Sequence, residues 1–266
     1  YDVRNILERA SARETTARVA VGGLTKCILS AFDIHVMGYV TEIGGIVADH
    51  SQLTVEEVFS QAEVSPVRLA DTQAEGKIIA LIDECKKKGD TLGGVVEVVT
   101  TGLPPGLGSF VHWDRKLDGR LGHALMSLQA VKGVEFGLGF TTARVPGSQV
   151  HDELSFEAAK GFVRQSNNSG GIEGGMSTGE PLRVRVAFKP LSTLMRPLHS
   201  VDIRTKEPVE ATIERSDVCA IPAAAVIAES VVAFVLAQAF LEKFGGDSLT
   251  ETRRNYEGYL EQVRQF

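Results

Sequence analysis

The spacing of apolar residues changes several times along the chain, and each change marks an element. Ser11-Ala12-Arg13-Glu14 has the S-x-x-E form of a helix capping box. Beyond it Ala20, Leu24, Cys27, Ile28 and Ala31 recur at helical spacing, which predicts a helix over 12–32 despite Gly22-Gly23. Residues 34–46 are β-branched and glycine-punctuated, as in a strand. A short helix is predicted over 55–62 and a longer one over 73–88, with Ile78, Ile79, Ile82 and Cys85 facing inward. Val95-Val96-Glu97-Val98-Val99 marks a strand over 93–100, and a Pro/Gly loop follows over 101–109. Residues 116–128 read as helix and 134–140 as a strand interrupted by Gly137 and Gly139. After a glycine-rich loop over 167–179, residues 183–189 alternate. Val184, Val186 and Phe188 take one face, Arg183, Arg185 and Lys189 the other, as in a half-buried strand with a cationic side. Two helices, 223–244 and 248–266, close the chain around Gly245-Gly246.

Helices and strands interleave, and several joins between strands are short. Parallel strands need long crossovers, so the pattern predicts an α+β fold with an antiparallel or mixed sheet covered by helices. No repeat, low-complexity tract or linker divides the chain, and residues 1–266 are expected to form a single domain. The most apolar stretch, 223–239, contains Glu229, Ser230 and Gln238, and its longest unbroken run is 231–237. That is too short to span a bilayer, so a buried core helix is expected.

Charge and cysteine usage narrow the partners. Lys and Arg total 28 against 34 Asp and Glu, a net charge of −6. An acidic chain argues against general binding to nucleic acid or to an anionic membrane, so any cationic site is local. Cys27, Cys85 and Cys219 lack paired spacing, which fits a reducing compartment rather than a disulfide scaffold or a zinc site. The six histidines are scattered and show no metal-ligand spacing; His112, beside Trp113-Asp114, stands out among them. The chain begins at Tyr1 and reads as a fragment or a processed chain.

Four segments carry candidate chemistry, each with a plainer alternative. Arg9-Ala10-Ser11-Ala12-Arg13-Glu14 places two arginine forks at a helix N-terminus, whose free N–H groups attract anions; it also reads as a capped helix with solvated arginines. The glycine-dense stretch 170–179 suits a close backbone approach to a ligand or a tight strand connection. It matches neither phosphate-loop nor dinucleotide-fold spacing. Lys189-Pro190-Leu191-Ser192-Thr193 ends a strand with a cation and two hydroxyls, a clasp for phosphate or flavin or a simple turn. In Glu214-Arg215-Ser216-Asp217-Val218-Cys219, Asp217 suits either a cap for the following helix or proton transfer, capping being the commoner role. Cys219 has no base beside it and reads as core.

Taken in order, these segments resemble the chorismate synthase family. The resemblance also runs through Gly89-Asp90-Thr91-Leu92-Gly93-Gly94, Gly102-Leu103-Pro104-Pro105-Gly106-Leu107-Gly108 and Gln129-Ala130-Val131-Lys132-Gly133-Val134-Glu135-Phe136-Gly137. It implies a β-α-β sandwich assembled as a homotetramer in the cytoplasm. It implies a shikimate-pathway lyase converting 5-enolpyruvylshikimate-3-phosphate to chorismate and phosphate by 1,4-anti elimination. Reduced FMN would be the cofactor, supplied by an external flavin reductase, with NADP as an associated nucleotide. The family's N-terminal portion, with its two acid-base histidines and several arginines, lies outside this sequence. Residues 1–266 would then be the C-terminal part of a family chain, with almost no turnover alone.

Residue by residue, the resemblance puts FMN contacts on Arg9, Ala10, Ser11, Gln129, Ala130, Gly174, Lys189, Pro190, Leu191, Ser192, Thr193 and Arg215. Arg13 would face the substrate, and Asp217 would sit near flavin N5, the proposed acceptor of the substrate proton, and tune its protonation. No metal is implied. Three departures from the common pattern are mild: Ala10 replaces a serine, Val218 a proline and Thr178 an asparagine. The rival readings are a catalytically inactive FMN- or anion-binding relative with an assembly role, and a plain interaction module.

Overall fold

The computed structural model describes residues 3–158, 161–213 and 216–265, with backbone alone at 3, 7 and 9. In chain order the helices are α1 (Val3–Ala10), α2 (Thr15–Ser30), α3 (Val55–Val64), α4 (Thr72–Lys88), α5 (Leu117–Met126), α6 (Ile221–Phe244) and α7 (Leu249–Arg264). The main strands are β1 (His35–Ile43), β2 (Ile46–Val47), β3 (Gly94–Thr101) and β4 (Val131–Phe136). Three small hairpins and a long strand follow: β5 (Leu154–Glu157) with β6 (Gly161–Arg164), β7 (Ile172–Glu173) with β8 (Met176–Ser177), β9 (Leu182–Phe188), and β10 (His199–Val201) with β11 (Pro208–Glu210).

Alternation in β9 is borne out: Leu182, Val184, Val186 and Phe188 are buried, while Arg183 and Arg185 face the other way. The five-stranded sheet runs β2-β1-β3-β9-β4, antiparallel throughout, with Val98 opposite Val184 and Val186 between Val96 and Val134. Val36, Val40, Val96, Val98, Val184 and Val186 form its apolar face. On that face lies α6, apolar nearly all round because α2 and α5 pack on its far side. Contrary to the expectation from 231–237, the whole helix α6 is long and apolar enough to cross a membrane by length and composition alone, but within this fold most of it is buried as the core helix. The α+β expectation holds, as does the core-helix reading of 223–239.

Close approach of the layers depends on two glycines. A Cβ on Gly38 would stand 2.6 Å from the Ala225 carbonyl, and one on Gly22 2.3 Å from the Ser230 Cβ. Backbone-to-backbone contact at Gly22 rotates part of the predicted face of α2 away from the core. Thr15, Gly22 and Leu29 are buried, whereas Ala20, Leu24 and Cys27 are exposed. Of the expected stripe, Ala20, Leu24 and Cys27 thus face outward while Ile28 and Ala31 pack against the core; absence of a side chain, not an apolar one, makes the closest contact.

Other boundaries also moved. The helix expected over 12–32 is a 3-10 turn (Ala12–Glu14) followed by α2. Ser11 Oγ accepts from the Arg13 N–H at 3.3 Å, but Glu14 turns away to Arg18, so the reciprocal capping box does not form there. A complete box occurs at Thr54 and Glu57. The strand expected over 34–46 folds back at Gly44-Gly45, both with positive φ (58° and 86°), as a tight hairpin requires. The strand expected over 134–140 lies at Val131–Phe136, since Gly137 and Gly139 take positive φ and lead into a 3-10 turn. Of the face expected on α4, Ile78 and Cys85 are buried while Ile79 is exposed.

α6 carries one buried carboxylate. Glu229 accepts the Gly38 N–H at 2.7 Å and Arg68 Nη2 at 3.3 Å, and Lys26 completes the set. Arg68 also donates from Nε to the Gly38 carbonyl at 2.8 Å and pairs with Glu63 at 2.8 Å. The cluster joins α2, α6, β1 and the turn before α4 at the point where Gly38 lets strand and helix touch.

Candidate active site

The segment 90–94 acts as a strap across several candidate residues. Thr91 Oγ1 donates to the Leu191 carbonyl at 2.7 Å, and the Leu92 N–H to the Val218 carbonyl at 2.8 Å. A Cβ on Gly93 would meet the Phe188 carbonyl and Pro190. Leu92 and Cys219 form an isolated parallel bridge. The strap thus draws the end of β9 beside the segment that contains Asp217.

On the other side of Lys189 stands the turn after α5. Ala130 adopts a left-handed conformation (φ 68°), and its carbonyl accepts the Lys189 N–H at 2.9 Å. The neighbouring Gln129 donates from Nε2 to Glu14 Oε2 at 3.3 Å. Arg18 reinforces this join, with Nε on Glu14 at 2.6 Å and Nη1 on Ser127 Oγ at 2.7 Å. Ser11 and Arg13, Gln129 and Ala130, Lys189, Pro190 and Leu191, and Asp217 are therefore linked through one continuous set of contacts. Strong sequence separation hides this link; Glu14, Arg18, Ser127 and Thr91 form it, and sequence reasoning missed their roles.

Charges within the set differ in how far they are committed. Arg13 pairs with Glu8 at 2.6 Å, both largely exposed. The cationic side of β9 is neutralised across the sheet, Arg183 by Glu97 at 3.3 Å and Arg185 by Glu135 at 2.7 Å. Lys189 is exposed and has no ion pair among the described residues; its Nζ meets only the Pro190 carbonyl, at 3.4 Å. The hydroxyls of Ser192 and Thr193 likewise make no hydrogen bond among the described residues. Gln129 Oε1 is buried without a partner. A free cation, two free hydroxyls and an orphaned acceptor oxygen fit a phosphate-bearing group with ring N–H donors.

Asp217 is exposed and does not cap α6. Ala220 takes the N-cap position without a side-chain bond, and Pro222 occupies the first turn, where its missing N–H costs nothing. The capping alternative is corrected accordingly, because the chain enters the helix three residues later than Asp217 would need. Burial pushes the Cys219 thiol up, as expected of a core cysteine. Arg215 and the Arg9 side chain lie outside the described residues, while the Ala10 backbone ends α1.

Gly174 is not drawn into this set within the chain. It turns the β7–β8 hairpin with Gly175 (φ 59° and 89°), and the Gly175 carbonyl accepts the Leu117 N–H at the start of α5. Gln129 lies beyond the other end of that helix, whose ten residues span about 15 Å at 1.5 Å per residue. The glycines of 170–179 serve turns and a close crossing, where a Cβ on Gly170 would lie 2.3 Å from the Gly137 nitrogen. His112 is exposed ahead of a 3-10 turn.

Asp152 holds the start of this glycine stretch. Its carboxylate accepts Ser166 Oγ at 2.5 Å and the N–H groups of Asn168 and Ser169 at 2.7 and 2.9 Å. Burial pushes its pKa upward, but these bonds together outweigh it and bring the value down to about 2 from 3.8. A depressed folded-state pKa means that the contribution is present above 3.8 and is lost as pH falls toward 2. Amide protection at Asn168 and Ser169, corrected for intrinsic exchange rates, should fall through that window. Asp152→Asn should abolish the pH response; persistence of the same response in the variant would assign it elsewhere.

Comparison with known proteins accounts for the order of these segments. A family model described as "Chorismate synthase" matches residues 1–241. The chain is 59% identical to the chorismate synthase of Geobacter sulfurreducens over 272 residues, covering 100% of this chain and 69% of that one. The corresponding protein of Symbiobacterium thermophilum is 59% identical over 263 residues, covering 98% and 67%. A solved structure titled "Crystal Structure of Chorismate Synthase" superposes with a TM-score of 0.86 at 44% identity, covering 100% of this chain and 74% of that one. The motif order, the fold and these matches along nearly all of this chain agree: the chain belongs to the chorismate synthase family.

Proposed function

We propose that the protein is a lyase of the shikimate pathway that forms chorismate from 5-enolpyruvylshikimate-3-phosphate by 1,4-anti elimination of phosphate, with reduced FMN as cofactor. The observation that carries this reading is the strap at 90–94, which holds Lys189, Pro190 and Leu191 between Gln129-Ala130 and Asp217 while Lys189 remains uncommitted. Lys189, Ser192 and Thr193 bind phosphate oxygens, Ala10, Ser11 and Ala130 contribute backbone contacts, and Gln129 orients the flavin ring. Arg9, Arg215 and Gly174 are assigned to the same group by family resemblance. Arg13 exchanges Glu8 for the anionic substrate, an exchange that costs little because the pair is solvated. Reduced FMN, when bound, supplies an electron-rich ring beside the substrate. Asp217 would lie near flavin N5 and tune its protonation, and the cations stabilise charge that develops on the leaving phosphate.

A homotetramer in the cytoplasm, supplied with reduced flavin by a separate reductase, completes the proposal. Exposed Val21, Leu24 and Phe234 on α2 and α6 support assembly. Anaerobic incubation of the complete protein, with the family's acid-base histidines in place, with the substrate and photoreduced FMN should release phosphate and form chorismate together. FMN binding without phosphate release would identify an inactive flavin-binding relative instead; absence of both would leave only the fold.

A further inference from the structure

A carboxylate accepts hydrogen bonds and donates none. Glu14 therefore fixes more than a distance when it meets Gln129. Only the Nε2 end of that amide can face it, and the contact is 3.3 Å. The Oε1 end is turned away, buried, and without a partner. From the opposite side Arg18 grips Glu14 Oε1 at 2.6 Å and reaches Ser127 Oγ at 2.7 Å, two residues before Gln129. This guanidinium contact holds the Glu14 carboxyl below its ordinary range against the opposing effect of burial, so it is ionised at neutral pH. Polarity thus passes in one direction, from Arg18 through Glu14 to the amide of Gln129. An amide is otherwise free to flip, since its two ends are nearly equal in size.

We propose that Glu14 is a positioning residue: it locks Gln129 in the one orientation that presents an acceptor oxygen to a ring N–H of the flavin. The inference rests on the reading of Gln129 as a flavin contact. It assigns a role to the acidic residue of the arginine segment, which touches neither cofactor nor substrate itself. It also explains why that residue leaves the capping position its spacing suggests: its bond to the Ser11 N–H is given up for Arg18 and Gln129.

The test measures FMN affinity by flavin fluorescence in the intact protein, with the flavin absorption band as a second readout and thermal melting as a check on folding. Glu14→Gln should weaken FMN binding about tenfold, because its own amide accepts either end of Gln129. Gln129→Ala should weaken it to a similar extent, and the double variant no further, since both remove one interaction. Glu14→Gln combined with Gln129→Glu restores a donor facing an acceptor and leaves an acceptor oxygen at position 129; it should recover most of the affinity. Ser127→Ala, which loosens the Arg18 staple without touching the amide, should stay within about twofold of wild type. Wild-type affinity in Glu14→Gln, additive losses in the Glu14→Gln/Gln129→Ala double variant, or an equal loss in Ser127→Ala would each overturn the assignment. Failure of the wild-type protein to bind FMN would instead remove the flavin reading, and this inference with it.

Discussion

Glu229→Ala should destabilise the protein by about 3 kcal/mol, at the lower end of the cost of breaking a buried ion pair. The carboxylate is 5% exposed at its side chain and serves three donors from three elements. Its removal strands the Gly38 N–H inside the tight α6–β1 contact, where Ala225 and the Glu229 Cβ crowd that glycine. Arg68, 15% exposed, keeps Glu63 and the Gly38 carbonyl, and Lys26 at 36% can turn outward. These escapes place the estimate near the lower bound. Glu229→Gln retains an acceptor for Gly38 and should lose only about 1–2 kcal/mol. Urea unfolding of both variants checks the order; a loss below about 1 kcal/mol in Glu229→Ala would mean that the cluster contributes nothing net.

Asp217→Asn should lower turnover by roughly 10²–10⁴-fold, the range for loss of a positioned acid-base group. FMN and substrate binding should change little. The substitution keeps the size of the side chain, and the segment is held by the backbone bond from Leu92 to Val218 rather than by the carboxylate. That separation makes the result readable: the strap and its neighbours stay in place while only the carboxylate is removed. Single-turnover phosphate release under anaerobic conditions gives the measurement. A variant that weakens flavin binding without slowing the bound complex would make Asp217 a binding group and not a participant in proton handling.

The legible parts of this fold were those that side-chain chemistry writes locally. β9 was readable because its burial alternates residue by residue, and α6 because no other position accommodates so apolar a helix. α2 was legible as a helix but only partly in orientation, since Gly22 makes its closest contact and period rules count apolar side chains, not their absence. The β5–β6 and β10–β11 hairpins left no pattern, because their strands are short and mostly exposed and so carry no buried face. Within the candidate site, motif order pointed to Gln129, Lys189 and Asp217. The contacts that join them, from Thr91, Ser127 and Arg18, lie between residues far apart in sequence, and a linear pattern does not contain them.

The strand order has a consequence for how the protein is made. Apart from the small turn at Gly44-Gly45, each ladder of the main sheet unites distant stretches: His35 meets Thr101, Val98 meets Val184, and Val134 meets Val186. Such a topology must close long loops before its pairings offset their entropy, which slows folding. On the ribosome, β3 and β4 emerge well before β9, so two sticky edges wait side by side for the strand that will separate them. Nascent chains stalled ahead of residue 182 should accordingly depend on chaperones, and that dependence should end once β9 has been released.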